Sequence, residues 1–458
     1  MPKEVRKFDV IVIGGGSGLE ISSQAAELGL KTAVIEPGPF GGTCLNRGCI
    51  PSKMLIHSAD VAENIDRAHL FGISSKGYTV DWKRIVSRVT KTVNEDAKGI
   101  EAGNRADRNI TVYKAYAKFI GHKQLQVGND IITADKIFIC AGTRPSIPPI
   151  PGLEKVPYLT SDQALFLSRQ PKSLIIIGGG YISCELAHFF GALGTKVTIL
   201  QRSDVLLTNE DIDISKRFTD VFKKKHDVLL NTEIVSVSKT KNGITIDCKV
   251  GGKRKTVSGE QLLVATGRVS NADKLDVAKT GIKITEKGGY VNINEYLETN
   301  VPGIWAIGDI AGKFFFKHSA NLEAAYAGHN AFNPKQKQEI DYAAMPHAVF
   351  TSPQMAGVGA TEQELQAKGV AYIKSIYKYD DSAMGFTIEE HDGFVKVLVD
   401  PKTRKILGCH IIGADASVLI HEVIPIMRAG LGVSAITQAI HIHPALSEVV
   451  SRAFNSLQ

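Results

Sequence analysis

The residues from Gly41 to Lys53, GGTCLNRGCIPSK, set two cysteines with four residues between them in a glycine-rich turn ahead of a predicted helix. Pro51 suits the entry of that helix, where a missing N–H costs little. Both sulfurs are therefore expected at or just inside its positive end, where a thiolate is favoured. Lys53 follows Cys49 by four residues, so on a helix it shares a face with that cysteine and holds positive charge beside whatever the sulfur touches. Such a pair suits redox chemistry at sulfur. Half a zinc site is one alternative, but zinc wants two further ligands at close spacing, and Cys140, Cys184, Cys248 and Cys409 stand singly. A structural bridge is the other; closing so short a loop gains little chain entropy, and nothing marks the chain for export. A second chemistry-bearing stretch lies near the far end, AIHIHPALSEVVSRAF, Ala439 to Phe454. Pro444 is expected to start a helix with His443 just before it and Glu448 one turn in, so that imidazole and carboxylate can meet, although a histidine there can also serve only as a cap.

Two strand–turn–helix units must position these groups. Phe8 to Ile13 is a short β-branched apolar run that meets glycines at once and then Ala25, Ala26, Leu28 and Gly29. Leu174 to Ile177, followed by Gly178-Gly179-Gly180-Tyr181-Ile182-Ser183 and a helix to Gly194, repeats the pattern. Two such units point to two dinucleotide-binding modules, because glycine lets the backbone approach a pyrophosphate that the helix N-terminus attracts. The repeats differ in length: Gly178 to Gly194 spans sixteen steps and Gly14 to Gly29 fifteen. Counting back from the helix-end glycine places Gly18 opposite Ser183. On that reading the first loop is one residue short, and Gly18 rather than Leu19 fills the slot where helix and strand pack closely. Between the units, KIFICAGTRPSIPPIPG reads as a buried strand, a turn and a proline-rich crossover; LLVATGRVSNAD, Leu262 to Asp273, repeats the strand-to-turn phrase, with TGR in place of GTR.

The thiol stretch and the two glycine fingerprints together closely resemble, end to end, the class I flavoprotein disulfide reductases, the pyridine nucleotide-disulfide oxidoreductases. The resemblance implies an α/β fold with two Rossmann-like domains, for FAD and NAD(P), and a C-terminal α+β dimerisation domain. The expected segments are 1–147 for FAD, 148–272 for NAD(P)H, 273–340 returning to FAD, and 341–458 for the interface. It further implies a homodimer that moves two electrons from NADPH through FAD and a Cys44–Cys49 disulfide to a small disulfide substrate. On this pattern Cys49 faces the flavin and Cys44 attacks substrate, while His443 is acid and base, oriented by Glu448 and reaching the disulfide of the other subunit. Lys53 and Glu185 are expected to pair near the reactive flavin nitrogen, and Tyr181 to cover the flavin until nicotinamide displaces it.

The same resemblance implies FAD contacts at Gly14, Gly16, Gly18, Glu36, Gly42, Thr43, Lys53, Gly142, Asp309, His318 and Ala320, and pyridine-nucleotide contacts at Gly178, Gly180, Tyr181, Ser183, Gln201, Arg202 and Gly267. Glu36, 22 residues after Gly14, is the acid that accepts from an adenosine ribose. NVPGIWAIGDIAG brings Asp309 to the ribityl chain. Gln201-Arg202 puts a neutral residue and a guanidinium where an acid would repel a 2′-phosphate, so NADPH is expected, with NADH as the alternative; Ser183 leans the same way. VATGRVSNAD, KHSANLEA and AVFTSPQMAGVG are similar to mycothione reductases. His441, in HxHP, looks like a dihydrolipoamide dehydrogenase, so oxidation of dihydrolipoamide with NAD is the alternative reaction. A noncatalytic nucleotide-binding protein is the alternative of another class, and it leaves thiols, lysine, base and acid unexplained. Arg47, between the cysteines, departs from the hydrophobic residue of many relatives. The ending FNSLQ carries no cysteine, which argues against mercuric reductases and thioredoxin reductases with a C-terminal redox pair.

A chain of 458 residues holds about three or four domains. Apolar content of 43% and charged content of 22% belong to a soluble globular protein. The net charge of +7 is spread out, with Lys223-Lys224-Lys225 the longest basic run, so a solvated face outranks nucleic-acid binding. The apolar run near the N-terminus is too short for a signal peptide, and no stretch is long and apolar enough to span a membrane. A cytoplasmic enzyme without metal is expected, with a small disulfide or dithiol as its partner.

Overall fold

The computed structural model describes residues 5–241 and 243–457. They form two compact units. One takes the chain up to Pro51, Val86–Ser146 and Gly267–Tyr342; the other takes Ser52–Ile85, Ile147–Thr266 and the chain from Ala343 on.

The first unit is built on a seven-stranded sheet. Ile110–Tyr113, Thr32–Ile35, Val5–Ile13 and Asp130–Ile139 lie side by side in parallel, with Ile304–Ala306 also parallel to the last of these; Gln124–Val127 and Ala117–Gly121 continue it antiparallel. The central strand is apolar on both sides, as a strand covered on both faces must be. Val10 and Val12 meet Ile21 and Ala25 of helix Gly18–Glu27 and Ala324 and Ala327 of helix Lys317–Phe332, while Ile11 and Ile13 meet Phe119, Leu125 and Ile304 on the other face. The register Val12↔Val34 and Val12↔Phe138 brings the strand ends together where the glycine turn begins. The GTR and TGR phrases pair with each other: Thr143–Pro145 runs antiparallel to Arg268–Ser270, with Arg144 clamped on Asp273 at 2.8 Å.

The second unit holds three sheets. Asp227–Leu229, Lys196–Leu200, Ser173–Ile177 and Gln261–Val264 are parallel and carry helix Tyr181–Ala192; a three-stranded antiparallel sheet follows from Thr232 to Gly259. The C-terminal part is a five-stranded antiparallel sheet in the order Pro346–Val349, Gln354–Gly359, Ile406–Gly413, Phe394–Val399, Ile373–Lys378. The helical content of this part comes, among the described residues, in six short α-helices and two 3-10 turns, with Glu362–Ala367 the first of the α-helices and Glu448–Asn455 the last. Pro425, Gly430 with φ 67° and Gly432 interrupt the run that a single longer helix would need. Lys396 lies fully buried on the strand Phe394–Val399. Its ammonium is held by Asp211 at 2.7 Å, Asp213 at 2.6 Å and Glu362 at 2.5 Å. No helix among the described residues is long and apolar enough to cross a membrane.

Candidate active site

The thiol stretch folds as two helices rather than one. Gly41 and Gly42 take φ 102° and 65°, and Gly41 N–H donates to Gly15 O at 2.7 Å, which anchors the turn to the first glycine loop. A six-residue helix, Gly42–Arg47, stops at Gly48, and the long helix Cys49–Arg67 begins at the next residue. The sequence predicts one helix entry for both sulfurs; glycine at 48 ends the first turn instead. A side chain there would place its Cβ 2.8 Å from Thr43 O. Cys44 therefore sits in the first turn of the short helix and Cys49 opens the long one, both half-buried. Asn46 pins the turn from below, its Nδ2 donating to Phe40 O at 2.8 Å and Gly42 O at 3.0 Å. The four other cysteines belong to packing: burial pushes the thiols of Cys140, Cys184, Cys248 and Cys409 up, away from thiolate. Arg47 is exposed.

One turn after Cys49, Lys53 places its Nζ 2.6 and 2.8 Å from the two oxygens of Glu185, on helix Tyr181–Ala192. Glu185 also accepts from Phe350 N–H at 3.0 Å, and the ammonium lies 4.4 Å from the centre of the Phe350 ring. Phe350 was not among the residues expected here; AVFTSPQMAGVG contains it, but only the fold brings it to this pair.

His443 and Glu448 meet as a dyad, with Nδ1 donating to the carboxylate at 3.0 and 3.1 Å. Glu448 is buried and His443 exposed, so the imidazole is held from one side and presents Nε2 outward. The His443 hydrogen bond, aided by Ala445 N–H, holds the Glu448 carboxyl below the usual carboxylate range. The helix expected from Pro444 begins only at Glu448. Ala445 N–H goes to the Glu448 side chain, and the residues between close i→i+3 turns, so the approach is a turn rather than a first helical turn. Nearby, His441 Nε2 lies 2.5 Å from Glu422, which raises the imidazole's pKa above its ordinary value.

In the first glycine loop Gly14 and Gly16 stand where backbone comes close, and Gly18 where side chains do. A Cβ on Gly14 would lie 2.3 Å from Cys140 O, one on Gly18 2.7 Å from Cys140 Sγ and 2.8 Å from Val12, and one on Gly42 2.7 Å from Gly16 Cα. Glu36 ends its strand with one oxygen on Gly15 N–H and the other on Gly38 N–H, both at 2.8 Å. Lys317 and Asn321, at the start of helix Lys317–Phe332, tie to Ser17 of the loop at 2.8 and 3.0 Å. His318 stacks on Phe316 at 5.1 Å, and Ala320 is buried against Gly308. Asp309 accepts from Thr143 Oγ1 at 2.7 Å with Arg268 at 3.7 Å; burial raises its pKa, with Thr143 and Arg268 opposing. Gly142, φ 60°, and Gly267, φ 113°, turn the GTR and TGR phrases. Two glycine-lined backbone crossings, an acid at a strand end and two helix N-termini joined through Ser17 fit a dinucleotide.

The second loop carries Gly178 at φ 116° and Gly180, beside which an added Cβ would meet nothing within 4 Å. Ser183 Oγ lies 3.5 Å from Ala265 O. Gln201 is buried, its amide donating to Val205 O at 3.2 Å, and Arg202 is exposed beside it. Tyr181 O–H donates to Glu210, whose other oxygen lies 2.8 Å from His347 Nε2. Glu210 and His347 escaped the sequence reading, since 29 and 166 residues separate them from Tyr181 and no local pattern marks them.

Two dinucleotide loops, a helix-borne cysteine pair with a lysine one turn on, and a His–Glu dyad define a pyridine-nucleotide-dependent dithiol oxidoreductase. The chain belongs to the pyridine nucleotide-disulphide oxidoreductase family, whose model matches residues 8–331, with the family's dimerisation domain at residues 345–454. Mycothione reductase of Mycobacterium tuberculosis strain H37Rv is 36% identical over 98% of this chain and 99% of its own. Dihydrolipoyl dehydrogenase of Bacillus subtilis strain 168 is 34% identical over 98% and 97%. Among solved structures, the Cu(II) complex of the HOCl-induced flavoprotein disulfide reductase RclA from Escherichia coli superposes with a TM-score of 0.88 at 28% identity, covering 98% of this chain and 99% of that one. The protein is thus a flavoprotein disulfide oxidoreductase that uses FAD and a pyridine nucleotide, carries a redox-active Cys44–Cys49 pair and forms a homodimer.

Proposed function

We propose that the enzyme reduces a small, mycothione-like disulfide with NADPH in the cytoplasm. The observation that carries the nucleotide preference is Gln201 followed by an exposed Arg202 at the end of strand Lys196–Leu200, where an acid would repel a 2′-phosphate. FAD, when bound, supplies the hydride chemistry between nicotinamide and dithiol. Lys53, fixed by Glu185, keeps a positive charge one turn from Cys49 and so favours that sulfur as the flavin-side thiolate. Cys44 is the exchange thiol that attacks the external disulfide. His443 gives a proton from Nε2 to the departing thiolate and takes one back, while Glu448 fixes the tautomer by accepting from Nδ1.

The remaining roles follow the same pattern: Gly14, Gly16, Gly18, Glu36, Gly42, Thr43, Gly142, Asp309, His318 and Ala320 would hold FAD, and Tyr181 would cover it on the side where nicotinamide enters. Oxidation of dihydrolipoamide with NAD is the second reading, favoured by the His441–Glu422 pair beside the dyad. A turnover screen with lipoamide, glutathione, mycothiol and coenzyme A disulfides, and with Cu(II), using NADPH and NADH in turn, decides between them. Highest kcat/KM for mycothiol disulfide with NADPH is expected; a preference for lipoamide with NADH overturns the reading.

Each active site takes His443 from the other subunit on this reading. Cys44→Ser and His443→Ala homodimers are then each nearly inactive. Mixing and reassembling them restores about a quarter of wild-type activity, because half the dimers are mixed and each mixed dimer has one intact site. No recovery in verified heterodimers would place the base within its own chain.

A further inference from the structure

Tyr181, Glu210 and His347 come from three separate segments and meet in the second unit. Tyr181 is the first residue of helix Tyr181–Ala192, Glu210 lies in the loop ahead of helix Ile212–Lys225, and His347 is on strand Pro346–Val349. The Glu210 side chain is buried and both its oxygens are engaged, one by Tyr181 O–H and the other by His347 Nε2 at 2.8 Å. The phenol and imidazole rings lie nearly parallel, 22° apart with centroids separated by 6.5 Å.

Backbone bonds fix the carboxylate from behind. Glu210 N–H donates to Leu207 O at 2.9 Å, Glu210 O accepts from Gln363 Nε2 at 2.7 Å, and Leu207 N–H donates to Gly179 O at 2.8 Å, which ties the loop to the glycine turn itself. Gly357 leaves room for the histidine: a Cβ there would lie 2.6 Å from the His347 ring and 3.0 Å from His410 Nδ1. Burial disfavours the Glu210 carboxylate, but the hydrogen bond and charge of His347 and the bond from Tyr181 hold its pKa below the ordinary value. Burial and then Glu210 push the Tyr181 phenol up, so it stays a neutral donor. An O–H···O⁻ bond to a buried carboxylate is among the stronger hydrogen bonds.

Tyr181 and Glu185 stand one turn apart on one helix face, and Glu185 holds Lys53, itself one turn from Cys49. We infer that Glu210 and His347 are positioning residues that latch the Tyr181 ring at rest, so that entry of the nicotinamide ring must break the Tyr181–Glu210 bond and gives up part of its binding energy to do so. This rests on the reading of Tyr181 as the cover on the nicotinamide side.

Calorimetric titration of the oxidised holoenzyme with NADP⁺ and with 2′-phospho-ADP-ribose, which lacks nicotinamide, tests it; NAD⁺ and ADP-ribose form the parallel pair, whichever nucleotide the enzyme prefers. Tyr181→Phe, which removes only the hydroxyl, is expected to tighten NADP⁺ about tenfold and leave 2′-phospho-ADP-ribose unchanged. Glu210→Gln should move the same ratio in the same direction by less. The double variant should gain no more than Tyr181→Phe alone, because both changes act on one bond. A ratio that stays within about twofold of wild type in Tyr181→Phe, or equal shifts for both ligands, overturns the latch. Failure of the functional reading shows elsewhere, as a wild-type flavin that neither NADPH nor NADH reduces, and leaves the titration ratio interpretable.

Discussion

Gly14 and Gly178 hold the same backbone conformation, φ 120° and 116°, each beneath a strand-end carbonyl that an added Cβ would approach to 2.3 Å, Cys140 O in one unit and Ala265 O in the other. Beyond that point the loops part. The shorter first loop enters its helix through i→i+3 bonds, Leu19 N–H to Gly16 O and Glu20 N–H to Ser17 O, whereas the second closes an i→i+4 bond at once, Cys184 N–H to Gly180 O. A missing residue is absorbed as a tighter first turn. The close-packing slot then tolerates no side chain at Gly18, while its counterpart, Ser183, fits a hydroxyl. The strand ends differ too: Glu36 grips the amides of Gly15 in the glycine loop and of Gly38 just beyond itself, and Gln201 turns to Val205 and leaves Arg202 exposed. A common scaffold thus ends in two different strand-end chemistries, and on the proposed reading these residues, which lie outside those that make the turn, choose the nucleotide.

The largest effect is expected where that choice is made. Arg202→Glu should lower kcat/KM for NADPH about 100-fold, since a charge-assisted contact becomes a repulsion, while NADH turnover changes by less than about threefold. An unchanged NADPH/NADH ratio would erase the contrast at the strand ends and promote the dihydrolipoamide reading.

A smaller effect sharpens the comparison of the loops. Gly18→Ser drives a Cβ against Cys140 Sγ and Val12 and should cost about 2 kcal/mol, as overpacking does. The reverse exchange, Ser183→Gly, should cost under about 1 kcal/mol, a helix-propensity effect with one long hydrogen bond lost. Denaturant midpoints measure both. Equal losses would mean that the two positions are not counterparts, and the one-residue offset would have to be redrawn.

That offset was legible before the structure because it lives in local spacing, as do the strand–glycine–helix units and the cysteine stretch. Lys53 could be placed on the face of Cys49 from helical spacing alone. What escaped is carried by contacts between distant segments: Phe350 on the Lys53–Glu185 pair, Lys317 and Asn321 on Ser17, Glu210 and His347 behind Tyr181. Hydrogen-bond partners chosen by tertiary packing leave no periodicity to read. Two local expectations also moved. Gly48 split the thiol segment into two helices, and the Glu448 side chain took the Ala445 N–H that a helix starting at Pro444 would have left for solvent.

The buried Lys396 bears on how this chain can be rebuilt. Its ammonium sits on a strand within the span matched by the dimerisation model, yet two of its three carboxylates, Asp211 and Asp213, come from the nucleotide-binding stretch. Exchanging either segment for a relative's would strand a charge in the interior, a penalty of several kcal/mol for an ion without its partner. Chimaeras that retarget the nucleotide or the interface should therefore carry Asp211, Asp213, Glu362 and Lys396 together, as one inheritance.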